Sequence, residues 1–124
     1  KKTYEEKGKQ FRFKEPMEYG KMIKDWNKNF LMEGPVVAII LEGPHAIEIV
    51  RKLVGNTEPR QALPGTIRGD FIFDSYSVAD VKSRPIRNLV HASGSIEEAE
   101  REIELWFSKE EIVSYKRDFD KHFY

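Results

Sequence analysis

The sequence predicts one compact α+β domain, on three observations. Apolar residues recur at helical spacing between Glu18 and Leu31, a continuous aliphatic run fills residues 36–41 between two Gly-Pro pairs, and a Ser-x-x-Glu box at Ser95 opens another striped segment. At 124 residues the chain has the size of a single domain with enough aromatic and aliphatic content for a core, so residues 1–124 are read as one unit.

Taken in order, residues 1–14 are lysine-rich and polar, broken by Tyr4, Phe11 and Phe13, and read as a helix end followed by a loop. Tyr19, Met22, Ile23, Trp26 and Phe30 then form the stripe of an amphipathic helix, which Gly34-Pro35 ends. The run Val36, Val37, Ala38, Ile39, Ile40, Leu41 is short and β-branched, the pattern of a strand covered on both faces. Pro44 suits a first helical residue, Ala46, Ile49, Val50 and Leu53 give one apolar face, and Gly55 stops that helix.

Residues 55–71 carry Gly, Pro, Asn and Thr without a period and predict a long ordered loop of the kind that often carries function. Residues 71–87 look like surface excursions, and Asn88, Leu89, Val90 and His91 form a short strand candidate that ends on a histidine. Ser95 and Glu98 make a capping box for a helix whose buried stripe is Ile96, Ala99, Ile103 and Trp106, and Ser108 and Glu111 repeat the box before a charged, aromatic tail.

Lysine plus arginine and aspartate plus glutamate both number 21, so no uniform field exists to collect nucleic acid or coat an anionic membrane. Cysteine is absent, which excludes disulfides, zinc-thiolate sites and thiol nucleophiles and fits a reducing cytoplasm. The longest apolar run is far shorter than the ~20 residues that span a bilayer. A soluble, cytoplasmic protein is expected. No P-loop, His-Glu-x-x-His or Gly-x-Ser-x-Gly pattern occurs, and His45, His91 and His122 have no metal-ligand spacing.

Two clusters could carry chemistry. The first is Arg51 with residues 55–71, which places Arg51, Thr57, Thr66 and Arg68 near glycines that let a ligand approach the backbone. Guanidinium forks match phosphate oxygens, and threonine hydroxyls can donate to the same group. The plainer reading pairs Arg68 with Asp70 or Glu58 and leaves Arg51 capping its own helix. The second cluster is Asn88 to Ser95 with Glu102. A neutral imidazole at a strand end, beside the free N–H groups of a helix N-terminus, can accept phosphate, and a carboxylate on its other nitrogen would fix its tautomer. A lone histidine with a distant glutamate is, equally, an ordinary surface residue.

Together the segments Asn-Leu-Val-His-Ala-Ser-Gly-Ser at 88–95 and Pro-Gly-Thr-Ile-Arg-Gly-Asp-Phe at 64–71 resemble the nucleoside diphosphate kinase family. The resemblance extends to residues 34–38, 50–59 and 105–107 and covers most of the chain from Gly34 to about Tyr115. It implies a ferredoxin-like α/β sandwich with an antiparallel sheet. It also implies ping-pong transfer of the terminal phosphate of ATP or another nucleoside triphosphate to a nucleoside diphosphate, with Mg2+ on the phosphates. By motif, His91 would be the phosphorylated nucleophile, Ser93 and Glu102 would orient it, and Arg51, Thr57 and Arg68 would hold phosphates. Asn88 would contact the sugar and phosphate end, and Tyr4 resembles the family's tyrosine near the histidine.

A homo-oligomer, hexamer or tetramer, is implied by the same analogy. The sequence departs from the pattern in three places. No counterpart of the family's first strand, helix and second strand, with its active-site lysine, precedes Lys1, so an N-terminal part is expected beyond this numbering. Residues 74–85 look inserted, and Gly94 stands where an aspartate is common. These departures keep open a second expectation, a catalytically weakened relative that acts as a nucleotide-binding or interaction module.

Overall fold

The structure, a computed structural model, describes residues 16–122, so Tyr4, Phe11 and Phe13 lie outside the described residues. Helix α1, Pro16–Leu31, begins on a proline, carries Glu18 in its first turn and Lys28 in its last, and so complements its own dipole. Tyr19, Met22, Ile23, Trp26 and Phe30 are its partly buried residues, as the stripe predicts. Its C-terminal end is tethered to the middle of the chain: Arg87 donates to Glu33 Oε1 at 2.7 Å and lays its guanidinium 5.5 Å over the Phe30 ring.

The expected strand at residues 36–41 is not formed among the described residues, which contain no strand at all. Val37 is 86% exposed and Ile39 70%. A strand exists only where a neighbour satisfies its N–H and C=O groups, and no backbone hydrogen bond from another described segment reaches this one. Helix α2, Ala46–Val54, starts two residues later than Pro44 suggests, because His45 takes the cap position in the left-handed region at φ 56°. Gly55, at φ 87°, ends it.

Residues 55–71 are not a plain loop. They contain a 3-10 turn, Pro59–Gln61, and a short helix α3, Ile67–Phe71, capped by Thr66, whose side chain accepts from Gly69 N at 3.1 Å. Gly69 cannot carry a side chain without conflict, since a Cβ there would sit 2.1 Å from the Leu63 carbonyl oxygen. The excursion after Phe73 likewise holds a helix, α4, Tyr76–Val81, capped by Ser75 through a 3.2 Å bond from Val78 N.

The strand candidate ending at His91 is also not a strand here; Leu89 lies at φ 64°, which breaks any extended run. Helix α5, Ile96–Trp106, is capped by Ser95, which accepts from Glu98 N at 3.2 Å. Its stripe is narrower than predicted: Ala99 and Ile103 are partly buried, whereas Ile96 and Trp106 are exposed. The second capping box is present, on the 3-10 turn Lys109–Glu111.

Val54, Pro59 and Ala79 are the buried apolar residues among those described, alongside the buried polar Glu58, Arg68, Asp74 and Ser75. The middle of the chain is therefore organised by hydrogen bonds. Asp74 accepts from Arg84 at 2.7 and 3.1 Å and from the backbone N–H groups of Ser75 at 2.9 Å and Arg87 at 2.7 Å. Those bonds, with Arg84's the largest influence, hold its carboxyl down at about 2. Glu58 accepts from Tyr76 N at 3.1 Å and from the Gln61 side chain, and pairs with Arg60 at 3.2 Å. The 3-10 turn, α4 and the segment leading to Asn88 are thereby locked to one another.

Candidate active site

Arg68 is the keystone of the site. Its placement follows from α3, whose Thr66 cap and side-chain-free Gly69 let the turn fold tightly enough to bury a guanidinium. Nε donates to Asn88 O at 3.2 Å, one terminal nitrogen to Gly55 O at 3.0 Å and the other to Val90 O at 2.6 Å. The left-handed turn at Leu89 brings the carbonyls on either side of it to the same guanidinium. Arg68 is 7% exposed, and neither Asp70 nor Glu58 pairs with it, which corrects the plainer reading. Asp70 instead accepts from Gly65 N at 2.8 Å.

Arg51, at the end of α2, also looks inward. One of its nitrogens lies 3.4 Å from Ala92 O, just past the histidine. Burial first, and then the neighbouring charge of Arg51, lowers the affinity of Arg68 for its proton. Two cations held this close cost free energy that an anion between them would offset. Asn88 completes the tie, its side-chain amide donating to Thr57 O at 3.3 Å.

His91 stands at the rim with its side chain 68% exposed. Its Nε2 is 2.7 Å from Glu102 Oε1, and the other Glu102 oxygen accepts from Ser93 Oγ at 2.6 Å. The Ser93 hydrogen bond foremost, then that of His91, holds the Glu102 carboxyl below its ordinary range. An anionic Glu102 can only accept, so it favours the tautomer in which Nε2–H donates to it and Nδ1 keeps the ring's lone pair. The 88–95 segment, which follows the Asp74 lock, and α5, which presents Glu102 two turns in, meet at this contact.

Arg51, Thr57, Arg68, Asn88, His91 and Glu98 line one cleft of about 250 Å3. Of the residues expected to face a substrate, Arg51, Thr57, Arg68, Asn88 and His91 are brought here, Thr66 instead uses its hydroxyl to cap α3, and Tyr4 lies outside the described residues. Glu98 is the residue that sequence reasoning left to helix capping alone. Its carboxylate reaches past Ser95 to accept from Gly94 N at 2.6 Å, and the signal for this was the glycine immediately before the cap.

An exposed imidazole held by a carboxylate, set beside two guanidinium groups in a small cleft, has the chemistry to receive an anion such as phosphate. The chain belongs to the nucleoside diphosphate kinase family, whose model matches residues 4–112. A nucleoside diphosphate kinase of Pyrobaculum aerophilum is 48% identical over 116 residues, which is 90% of this chain and 63% of that protein. One of Borreliella burgdorferi is 46% identical over 80% of this chain and 61% of that protein. The chain thus spans less than two thirds of the length of these relatives.

Among solved structures, an NDP kinase from Pyrobaculum aerophilum superimposes with a TM-score of 0.81 at 46% identity, over 91% of this chain and 64% of that one. A Borrelia burgdorferi nucleoside-diphosphate kinase, solved as a transition state mimic with bound vanadate and ADP, gives 0.62 at 48% identity over 65% of this chain and 48% of that one.

Proposed function

We propose that the protein transfers the terminal phosphate of a nucleoside triphosphate to a nucleoside diphosphate through a phosphohistidine on His91. The observation that carries this reading is the His91–Glu102–Ser93 chain of contacts at the rim of a cleft that holds Arg51 and Arg68. Glu102 keeps the Nε2 proton in place and Nδ1 attacks the terminal phosphorus in line with the departing diphosphate. Arg51 and the N–H groups that Arg68 has left over take the charge on the transferring oxygens. The histidine then hands the group to a second diphosphate by the reverse path.

Family relationship also implies magnesium on the nucleotide phosphates. The lining is compatible with such an ion, because a carboxylate, Glu98, shares the cleft with the anion-binding groups. When bound, the ion offsets charge on the polyphosphate. The same relationship supports a ferredoxin-like antiparallel sheet and a cytoplasmic homo-oligomer.

The test is incubation of the protein with γ-labelled ATP and Mg2+. Label that is lost in acid, kept in base, discharged by a nucleoside diphosphate and absent from His91→Ala is the expected result. Label that persists in His91→Ala removes the assignment, and nucleotide binding without any labelling leaves a binding module instead.

A further inference from the structure

Glu98 sits in the wrong place for an ordinary capping residue. Its N–H is capped by Ser95, but its carboxylate turns back across the N-terminus of α5 to Gly94 N. The pose depends on glycine: a Cβ at position 94 would stand 2.9 Å from Glu98 Oε2 and 3.7 Å from an Arg51 nitrogen. A side chain there would push the carboxylate away. With glycine, Glu98 lines the same cleft as Arg51, Arg68 and His91.

One donor atom each of His91, Glu98 and Glu102 falls within 4.8 Å of the others, so the Glu98 carboxylate stands where the reacting phosphates must pass. Both oxygens of Glu102 are already engaged, one with His91 and the other with Ser93. Glu98 has one oxygen on Gly94 N and, among the described residues, no partner for the second. A carboxylate so close to a bare polyphosphate repels it, against the purpose of the guanidinium groups beside it. The repulsion becomes attraction when a divalent cation stands between the two. Magnesium takes such a site readily, with one or two carboxylates, phosphate oxygens and retained water as its ligands.

The geometry points to Glu98 as the residue that holds the hydrated divalent cation carried by the nucleotide, with Gly94 as the residue that makes room for it. Glu98 thereby selects the metal–nucleotide complex over the free nucleotide. This inference rests on the reading that a nucleotide polyphosphate occupies the cleft.

The experiment is calorimetric titration of the full chain with ADP, once in excess Mg2+ and once in EDTA. The wild type is expected to favour Mg·ADP over free ADP. Glu98→Gln, whose amide oxygen can still accept from Gly94 N, is expected to lower that preference by about tenfold while free ADP binds as well as before or better. Thermal unfolding of the variant is expected to match the wild type. Adding Gly94→Asp to Glu98→Gln returns a carboxylate to the same few ångströms and is expected to restore the preference. An unchanged ratio in Glu98→Gln, or an equal loss for both forms of ADP, overturns the inference while nucleotide binding still supports the proposed function. Failure of the wild type to bind ADP in either form removes both.

Discussion

Glu102 serves two donors at once, Ser93 first and then His91, and both hold its carboxyl below the ordinary range. Because the folded value is depressed, the anion and its hold on His91 are present throughout neutral pH and are lost only as pH falls below the ordinary carboxylate range. Glu102→Gln keeps the shape but removes the charge that fixes the tautomer. It is expected to slow labelling of His91 by about 10²-fold and leave ADP affinity within about twofold, as measured by rapid quench and calorimetry. A variant that labels normally but binds poorly would reverse the assignment.

The two arginines separate differently. Arg51 makes one long contact to the backbone, so Arg51→Ala is expected to weaken ADP binding about tenfold with the melting temperature almost unchanged. Arg68→Ala strands three carbonyls of the 55 and 88–90 segments and is expected to cost about 3 kcal/mol of stability as well. Equal melting temperatures for the two variants would contradict this. At this scale the residue types were legible because the chemistry demands them: an imidazole, a carboxylate and guanidinium groups. What the sequence could not give was the structural commitment of Arg68, since bonds to distant backbone carbonyls leave no mark on side-chain identity.

Among the elements, those with a period or a complete capping box were read, and the short ones with neither were missed. The stripe from Tyr19 to Phe30 marks α1 because one face must shed water while the other stays wet. Pro59–Gln61, α3 and α4 are too short to show a stripe. Their only local marks are the capping residues Thr66 and Ser75. What holds them is long-range: the Asp74 carboxylate collects Arg84 and the N–H of Arg87 across the whole of α4. Asp74→Ala is therefore expected to destabilise the fold by about 3 kcal/mol in urea unfolding and to loosen the segment that carries His91. The acid limb carries the sign. The folded carboxyl titrates near 2 against an ordinary 3.8, so its stabilisation is complete above pH 3.8 and disappears as pH falls toward 2. The variant is expected to lack that part of the acid transition. An identical acid limb in both proteins would show that Asp74 is not its source.

Over the whole molecule, the described residues divide into a hydrogen-bonded centre and an uncovered apolar run. Residues 36–41 were read as a buried strand because nothing in the run is polar, whereas among the described residues the run is neither a strand nor covered. Sheet formation is a property of neighbours, and an aliphatic run names no neighbour. Val36, Val37, Ile39 and Leu41 all stay exposed, a contiguous patch of the kind that soluble monomers seldom leave uncovered. Among the described residues no backbone hydrogen bond reaches this run, so another copy could pair with it edge to edge. The chain as it stands is expected to self-associate with rising concentration. Val37→Lys with Ile39→Lys places charge in the middle of the run and is expected to raise the midpoint of association at least about tenfold in sedimentation velocity, because each buried aliphatic side chain contributes about 1.5–3 kcal/mol. Glu102 and Arg68 make none of their hydrogen bonds to the run, so labelling of His91 measured at equal monomer concentration should be unaffected. Association that survives the double substitution would place the sticky surface elsewhere, with the exposed Leu105 and Trp106 at the end of α5 as the next surface to charge.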